Sequence, residues 1–213
     1  MKKHLEYPNF SVYKLIEYTS SKHLNNISYN YYGTKVTYYE FLKQIDEVAR
    51  SLKAIGVKHK DVVSICMPNT PEAIIAFYAI NEIGAIANMI HPLSAEEEIK
   101  FSLNSTKSVM LIAINLSYKK VKEIIEDTAV YKTIVVSASD SMPTLLKFGY
   151  NLTAGRKIEK PKRARANIEC YSPEEVSELI EKIQNNPAAE GLDNEVADNT
   201  EMTKVEQEYG ADE

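Results

Sequence analysis

The 213-residue chain predicts an α/β domain of alternating βαβ layers around a mainly parallel sheet, and three observations carry that prediction. Short runs rich in β-branched residues alternate with helical patterns of about three turns. Capping residues open most of the helices, and a glycine lies just past the end of two of them. The connections are only a few residues long, as expected where parallel strands are joined by right-handed helical crossovers.

Each element has a local cause. Residues 27–37, ISYNYYGTKVT, alternate apolar and polar side chains around Gly33-Thr34, the pattern of a β-hairpin. Thr37 and Glu40 form a capping box, each side chain satisfying a free helix N–H of the other. The helix that follows sets Phe41, Ile45, Val48, Leu52 and Ile55 on one face and stops before Gly56. VVSICM, after Asp61, reads as a strand buried on both faces. Pro68-Asn69 turns the chain, and Thr70 with Pro71 opens a helix that Gly84 closes. Residues 86–90 form the next strand. Ser94 with Glu97 reads as a second capping box, for a helix reaching about Leu103. VMLIAI, 109–114, is a strand; Ser117 caps YKKVKEIIEDT, with Val121, Ile124 and Ile125 inward; 133–136 is a further strand. Beyond it lie one short apolar patch, 145–148, and then a basic run.

The net charge of −5 hides an asymmetry. Residues 1–166 hold 23 Lys+Arg against 16 Asp+Glu, whereas residues 167–213 hold 2 Lys against 14 acids. The division expected is a folded domain over 1–162, a basic linker at 163–171, a short amphipathic helix at 172–186 and an acidic, disordered tail at 187–213. The helix rests on Ser172-Pro173 at its start and a stripe of Val176, Leu179, Ile180 and Ile183. A solvated surface is the plainer account of the domain's basic excess; a phosphate-rich ligand is the sharper one. Cys66 and Cys170 stand far apart without metal spacing, and MKKHLEYPNF has no apolar core of a leader, so a reducing cytoplasm is expected. The most apolar stretch, 71–90, contains Glu82, which at mid-bilayer would cost about 3 kcal/mol. It reads as a buried helix and strand, not a membrane span.

Residues 37–92 carry an ordered set of motifs. Thr37-Tyr38 precedes a helix that ends in Leu52-Lys53-Ala54-Ile55-Gly56-Val57. Lys60-Asp61 precedes a strand, Pro68, Asn69 and Glu72 make a Pro-Asn-x-x-Glu pattern, Gly84-Ala85 follows a long apolar helix, and Asn88, His91 and Pro92 end the next strand. In this order and spacing they resemble the opening of the adenylate-forming superfamily, specifically the fatty-acid or aryl acid–CoA ligase branch of AMP-forming acyl-CoA synthetases. The family usually has Gly-Asp where this chain has Lys60-Asp61. Looser likeness continues to about Lys162. The resemblance implies carboxylate activation through an acyl-adenylate, thioester formation with CoA, and use of ATP, Mg and CoA by full-length members, with a carboxylic acid and CoA as substrates.

The family's phosphate loop, a Ser/Thr/Gly-rich run ending in Pro-Lys, has no counterpart in these 213 residues, and neither do the later adenine-, ribose- and adenylate-contacting motifs. No catalytic, cofactor-binding or metal residue is therefore assigned, and no cofactor is expected on this chain alone. Weighed individually, His91 reads as a loop histidine with a structural hydrogen bond and Cys66 as a small buried hydrophobe. Glu96-Glu97-Glu98 reads as acids favoured by a helix dipole. Lys157, Lys160, Lys162, Arg163 and Arg165 read as a solvated linker; without interleaved aromatics they do not point to nucleic acid. Two function classes follow: a fragment of an acid–CoA ligase whose catalytic motifs are missing, or a non-catalytic binding or interaction protein reusing the N-terminal part of that fold. In either, the sheet is expected to stay partly uncovered and to favour self-association.

Overall fold

A computed structural model describes residues 10–137 and 139–152. The sequence-predicted linker, short helix and acidic tail, 163–213, lie outside the described residues, as do Lys157, Lys160 and Lys162.

The N-terminal helix α1 (Val12–Ser20) is capped by Ser11 Oγ, which accepts from Lys14 N. Strands β1 (Ile27–Tyr31) and β2 (Thr34–Thr37) pair antiparallel as a hairpin of their own. Its turn falls on Tyr32-Gly33, one residue before the position expected from sequence, with φ of 50° and 92°. Two successive positive φ values give the strands the twist a two-residue hairpin needs. Helix α2 (Tyr38–Ala54) follows at once, and its capping box is the one expected: Glu40 Oε2 accepts from Thr37 N at 2.8 Å, and Thr37 Oγ1 from Glu40 N at 3.3 Å.

From there the chain alternates: β3 (Val62–Cys66), α3 (Pro71–Ile83), β4 (Ile86–Ile90), α4 (Glu96–Ser105), β5 (Met110–Ile114), α5 (Tyr118–Ile124), β6 (Lys132–Val136) and α6 (Thr144–Leu152). The four strands form one parallel sheet in the order β4-β3-β5-β6. Alternate residues of the central strands serve opposite faces, because successive side chains of a strand point opposite ways. Val63, Ile65, Met110, Ile112 and Ile114 pack with α2 and α3 through Ile45, Leu52, Ala76 and Ile80. Cys66, Leu111 and Ala113 pack with α4 and α5 through Ile99, Leu103, Val121 and Ile124. The result is a doubly wound α/β layer with two cores, one on each face.

The caps differ from expectation on one side of the sheet. Helix α4 is opened by Ala95, not Ser94; Glu98 Oε2 accepts from Ala95 N at 3.1 Å, so only the acidic half of a capping box exists. Ser117 stands at the start of α5 but makes no cap bond; its hydroxyl donates to Pro92 O at 3.1 Å. Helix α6 extends the 145–148 apolar patch, which sequence periodicity was too short to declare helical. Gly84 closes α3 in the left-handed conformation, φ 78°, with the His59 ring filling the space where a Cβ would stand.

Candidate functional site

In a doubly wound sheet the ligand crevice lies beyond the carboxyl ends of the strands where the winding reverses. Here the chain leaves β3 for β4 through α3 on one face, then crosses back to β5 through α4 on the other. The reversal therefore lies between β3 and β5. The segments around it are 67–70 after β3, 91–95 after β4, 115–117 after β5 and 137–140 after β6.

These segments are tied mainly to one another. Ser117 links the β5 end to Pro92, and Lys120 Nζ donates to Ser94 O at 2.8 Å. Asn115 Nδ2 donates to Ser137 Oγ at 3.3 Å; Ser137 and Ser139 hydroxyls lie 3.0 Å apart; Asp140 Oδ2 accepts from Ser137 N at 3.0 Å. Burial pushes the Asp140 carboxyl up, an effect countered by the Ser137 N–H and by Lys147, 3.7 Å away, and reinforced by the charge of Glu72. Glu72 sits in the first turn of α3 with a buried Oε1 that has no hydrogen-bond partner.

Of the residues singled out in the sequence, His91, Cys66 and Glu96–Glu98 lie among the described residues. His91 is exposed, and its Nδ1 accepts from Leu93 N at 3.2 Å. Cys66 is fully buried; burial raises its thiol pKa, a rise that the Ser117 hydroxyl and Lys120 only partly offset, so it is neither a poised nucleophile nor a ready ligand. Glu96, Glu97 and Glu98 occupy the first turn of α4. No group of three His, Cys, Asp or Glu side chains among the described residues could hold a metal ion. The N-termini of α3 and α4 carry Glu72 and Glu96–Glu98 where an anion would need donors, and like charges repel.

Two features escaped sequence reasoning. One is the Ser137–Asp140 turn, whose Ser-x-Ser-Asp pattern after a strand is the signal of a side-chain-stapled turn. The other is a polar network beneath α4. Asn88 Nδ2 lies 2.8 Å from Ser64 Oγ, 3.2 Å from Ser102 Oγ and 3.4 Å from Thr106 Oγ1. Ser64 and Ser108 hydroxyls are 2.6 Å apart, and Thr106 and Ser108 hydroxyls 2.8 Å. Asn88 and Ser64 are register partners on adjacent strands. The Asn of the sequence motif thus fixes α4 on the sheet.

Lys60 supplies a further correspondence. It has φ 67°, a left-handed conformation that favours glycine, and it stands where the motif usually has Gly. The following Asp61 accepts from Lys58 N at 2.8 Å and closes the turn into β3. The motif's glycine and aspartate are thus accounted for by backbone geometry rather than chemistry.

Comparison with known proteins agrees with this geometry. The chain is 24% identical over 179 residues to a long-chain-fatty-acid–CoA ligase of Bacillus subtilis (strain 168), covering 83% of this chain and 32% of the relative. It is 28% identical over 145 residues to 4-coumarate:CoA ligase 1 of Petunia hybrida, covering 66% of this chain and 25% of the relative. Among solved structures, coronafacic acid ligase from Pectobacterium brasiliense superposes with a TM-score of 0.61 at 20% identity, covering 79% of this chain and 29% of that one. The chain thus spans about a third or less of the length of these proteins. The signature of the AMP-binding enzyme family matches residues 16–175, which is 160 of 213 residues, and the chain belongs to that family.

Proposed function

We propose that this chain supplies the N-terminal α/β layer of an ATP-dependent acid–CoA ligase and that, by itself, it does not adenylate acids. The observation that carries the reading is where the family's motif residues lie. Gly84, Asp61 and Asn88 hold turns, helix ends and helix-to-sheet contacts, whereas the segments at the strand ends carry Glu72 and Asp140 together with Lys120, Lys147 and mutually bonded hydroxyls. Phosphoryl and adenylyl transfer is catalysed chiefly by positioned donors and cations around the phosphates. Those would come from the phosphate loop and the later motifs, which the 213 residues do not contain. In a full-length ligase ATP, Mg and CoA would be held there, with a fatty or aromatic carboxylic acid as substrate.

The test is pyrophosphate release by the purified 213-residue chain with ATP, Mg and a panel of fatty and aryl acids. No release above the rate without acid is expected; acid-dependent release would overturn the reading. The second reading, a non-catalytic interaction protein on the same fold, is favoured by one specific feature, the uncharged strand β4 at the edge of the sheet among the described residues.

A further inference from the structure

The two edges of the parallel sheet are unlike. At one edge, β6 begins with Lys132, and Ile134, Val135 and Val136 are all partly buried. At the other, β4 reads IANMI, without charge, proline or bulge, and it leaves Ile86 53% and Met89 52% exposed. Soluble proteins ordinarily guard an edge with lysine, proline or a bulge, because bare N–H and C=O groups template pairing with another strand.

The hydrogen bonding decides which groups face outward. Ile86 N donates to Asp61 O at 2.8 Å, so the backbone of residues 86, 88 and 90 turns toward β3. In a parallel strand alternate residues turn the opposite way. Ala87 and Met89 therefore present two N–H and two C=O groups to the outside. Their neighbours along the chain are engaged: Ala85 N donates to Ile80 O, and His91 O accepts from Ser94 N. Side chains alternate as well. Asn88 and Ile90 face α4, and Ala87 faces the α2–α3 core.

We infer that β4 is an interaction surface for a second copy of this chain, two β4 strands pairing antiparallel about a two-fold axis at Asn88. Only this centre uses the four free groups and no engaged one. Ala87 and the partner's Met89 exchange both their hydrogen bonds, and Met89 and the partner's Ala87 do the same. The side chains fit this register: Ile86 faces the partner's Ile90 on the α4 face, and on the other the small Ala87 lies opposite the partner's exposed Met89. A centre at Met89 would set two large side chains against each other and require the C=O of His91, already taken. A two-fold contact must be self-complementary, and IANMI meets this about its asparagine, with Ile at both ends and small Ala87 set against the partner's large Met89. Two five-residue strands bury less than a standard interface, so the pairing is weak, with Kd on the order of 10 µM. The inference is independent of the adenylation reading.

The test uses the full 213-residue chain. Sedimentation velocity from about 1 to about 100 µM brackets that affinity and should show a reversible monomer–dimer equilibrium. Over the same range, hydrogen exchange at the Ala87 and Met89 amides should slow as dimer forms. Met89→Lys places a charge on the edge and should weaken the dimer at least about tenfold. Phe101→Lys, at a still more exposed apolar position on α4, 74% against 52% for Met89, should leave it unchanged. A chain monomeric throughout, or a dimer that persists in Met89→Lys, overturns the inference. Protection of Ala87 and Met89 that does not depend on concentration also overturns it, because another segment of the same chain would then cover the edge. Loss of the dimer in Phe101→Lys but not in Met89→Lys would place the interface on α4 instead.

Discussion

Lys60 shows how one residue records a departure from its family. Its φ of 67° strains a side chain bearing a Cβ, while its N–H is still held by Gly84 O at 2.9 Å. Lys60→Gly is expected to stabilise the protein by about 0.5–1 kcal/mol, because relief of the strain outweighs the extra freedom gained by the unfolded chain. Urea denaturation decides it; a loss of stability would mean that the lysine side chain matters more than the strain. Glu82 is a second such site. It lies among Lys14 and Glu17 of α1 and Asp46 and Lys53 of α2, with a buried Oε2 that no donor reaches. Burial, helped by Asp46, pushes its carboxyl from 4.5 to about 7. The folded state thus holds a proton that the unfolded chain has released between those two values. Stability attributable to this group is full below 4.5, falls as pH rises through that window, and is lost above about 7. Glu82→Gln should therefore add on the order of 1 kcal/mol at pH 8, discounted for partial solvent screening, and almost nothing at pH 4.5. Melts at the two pH values that show equal gains would contradict the assignment.

At the scale of elements, the helices on the two faces are secured differently. α2 carries a complete local capping box, and the Thr37 N–H and hydroxyl hold the Glu40 carboxyl below its usual range. Thr37→Ala should cost about 1 kcal/mol and let the Glu40 pKa rise part of the way back, since the backbone bond survives. Carboxyl titration by NMR would read this; an unmoved Glu40 would show that its environment has another source. α4 and α5 instead rely on long-range ties. Asn88, Ser64 and Ser108 anchor α4, while Ser117–Pro92 and Lys120–Ser94 join the loops after β4 and β5. Such ties join residues 24 to 44 positions apart, and no helical period reveals them. Among the described residues no helix is long and apolar enough to cross a membrane, and Glu82 lies among charged groups of α1 and α2.

For the whole molecule, a four-stranded parallel sheet is covered on both faces and differs at its two edges. The centre of each face is covered: Val63, Ile65 and Met110 on one side and Leu111 and Ala113 on the other are fully buried, while Ile86 and Met89 of β4 stay about half exposed. The partly uncovered sheet expected from the sequence has its exposed large hydrophobes, Ile86 and Met89, on the edge strand β4, where self-association is proposed. A full-length ligase would surround this layer with the remaining two thirds or more of its chain. The β4 pairing is therefore a property to be measured on this 213-residue chain in particular.

The sequence alone determined the elements and the family. A Thr with a Glu three residues on, a Pro at a first helical turn and a Gly at a helix end act over four residues, so Thr37, Pro71 and Gly84 announce themselves wherever the chain folds. β-branched runs between them could become little other than buried strands, and the ordered motifs from Thr37 to Pro92 identified the ligase fold. The strand order, the reversal between β3 and β5, the short helix α1 against α3, the proton on Glu82 and the edge position of β4 were decided only in three dimensions. Each depends on which distant segments become neighbours. Ser94 misled and Asn88 stayed silent for the same reason: a hydroxyl or an amide has many possible partners, and tertiary packing chooses among them.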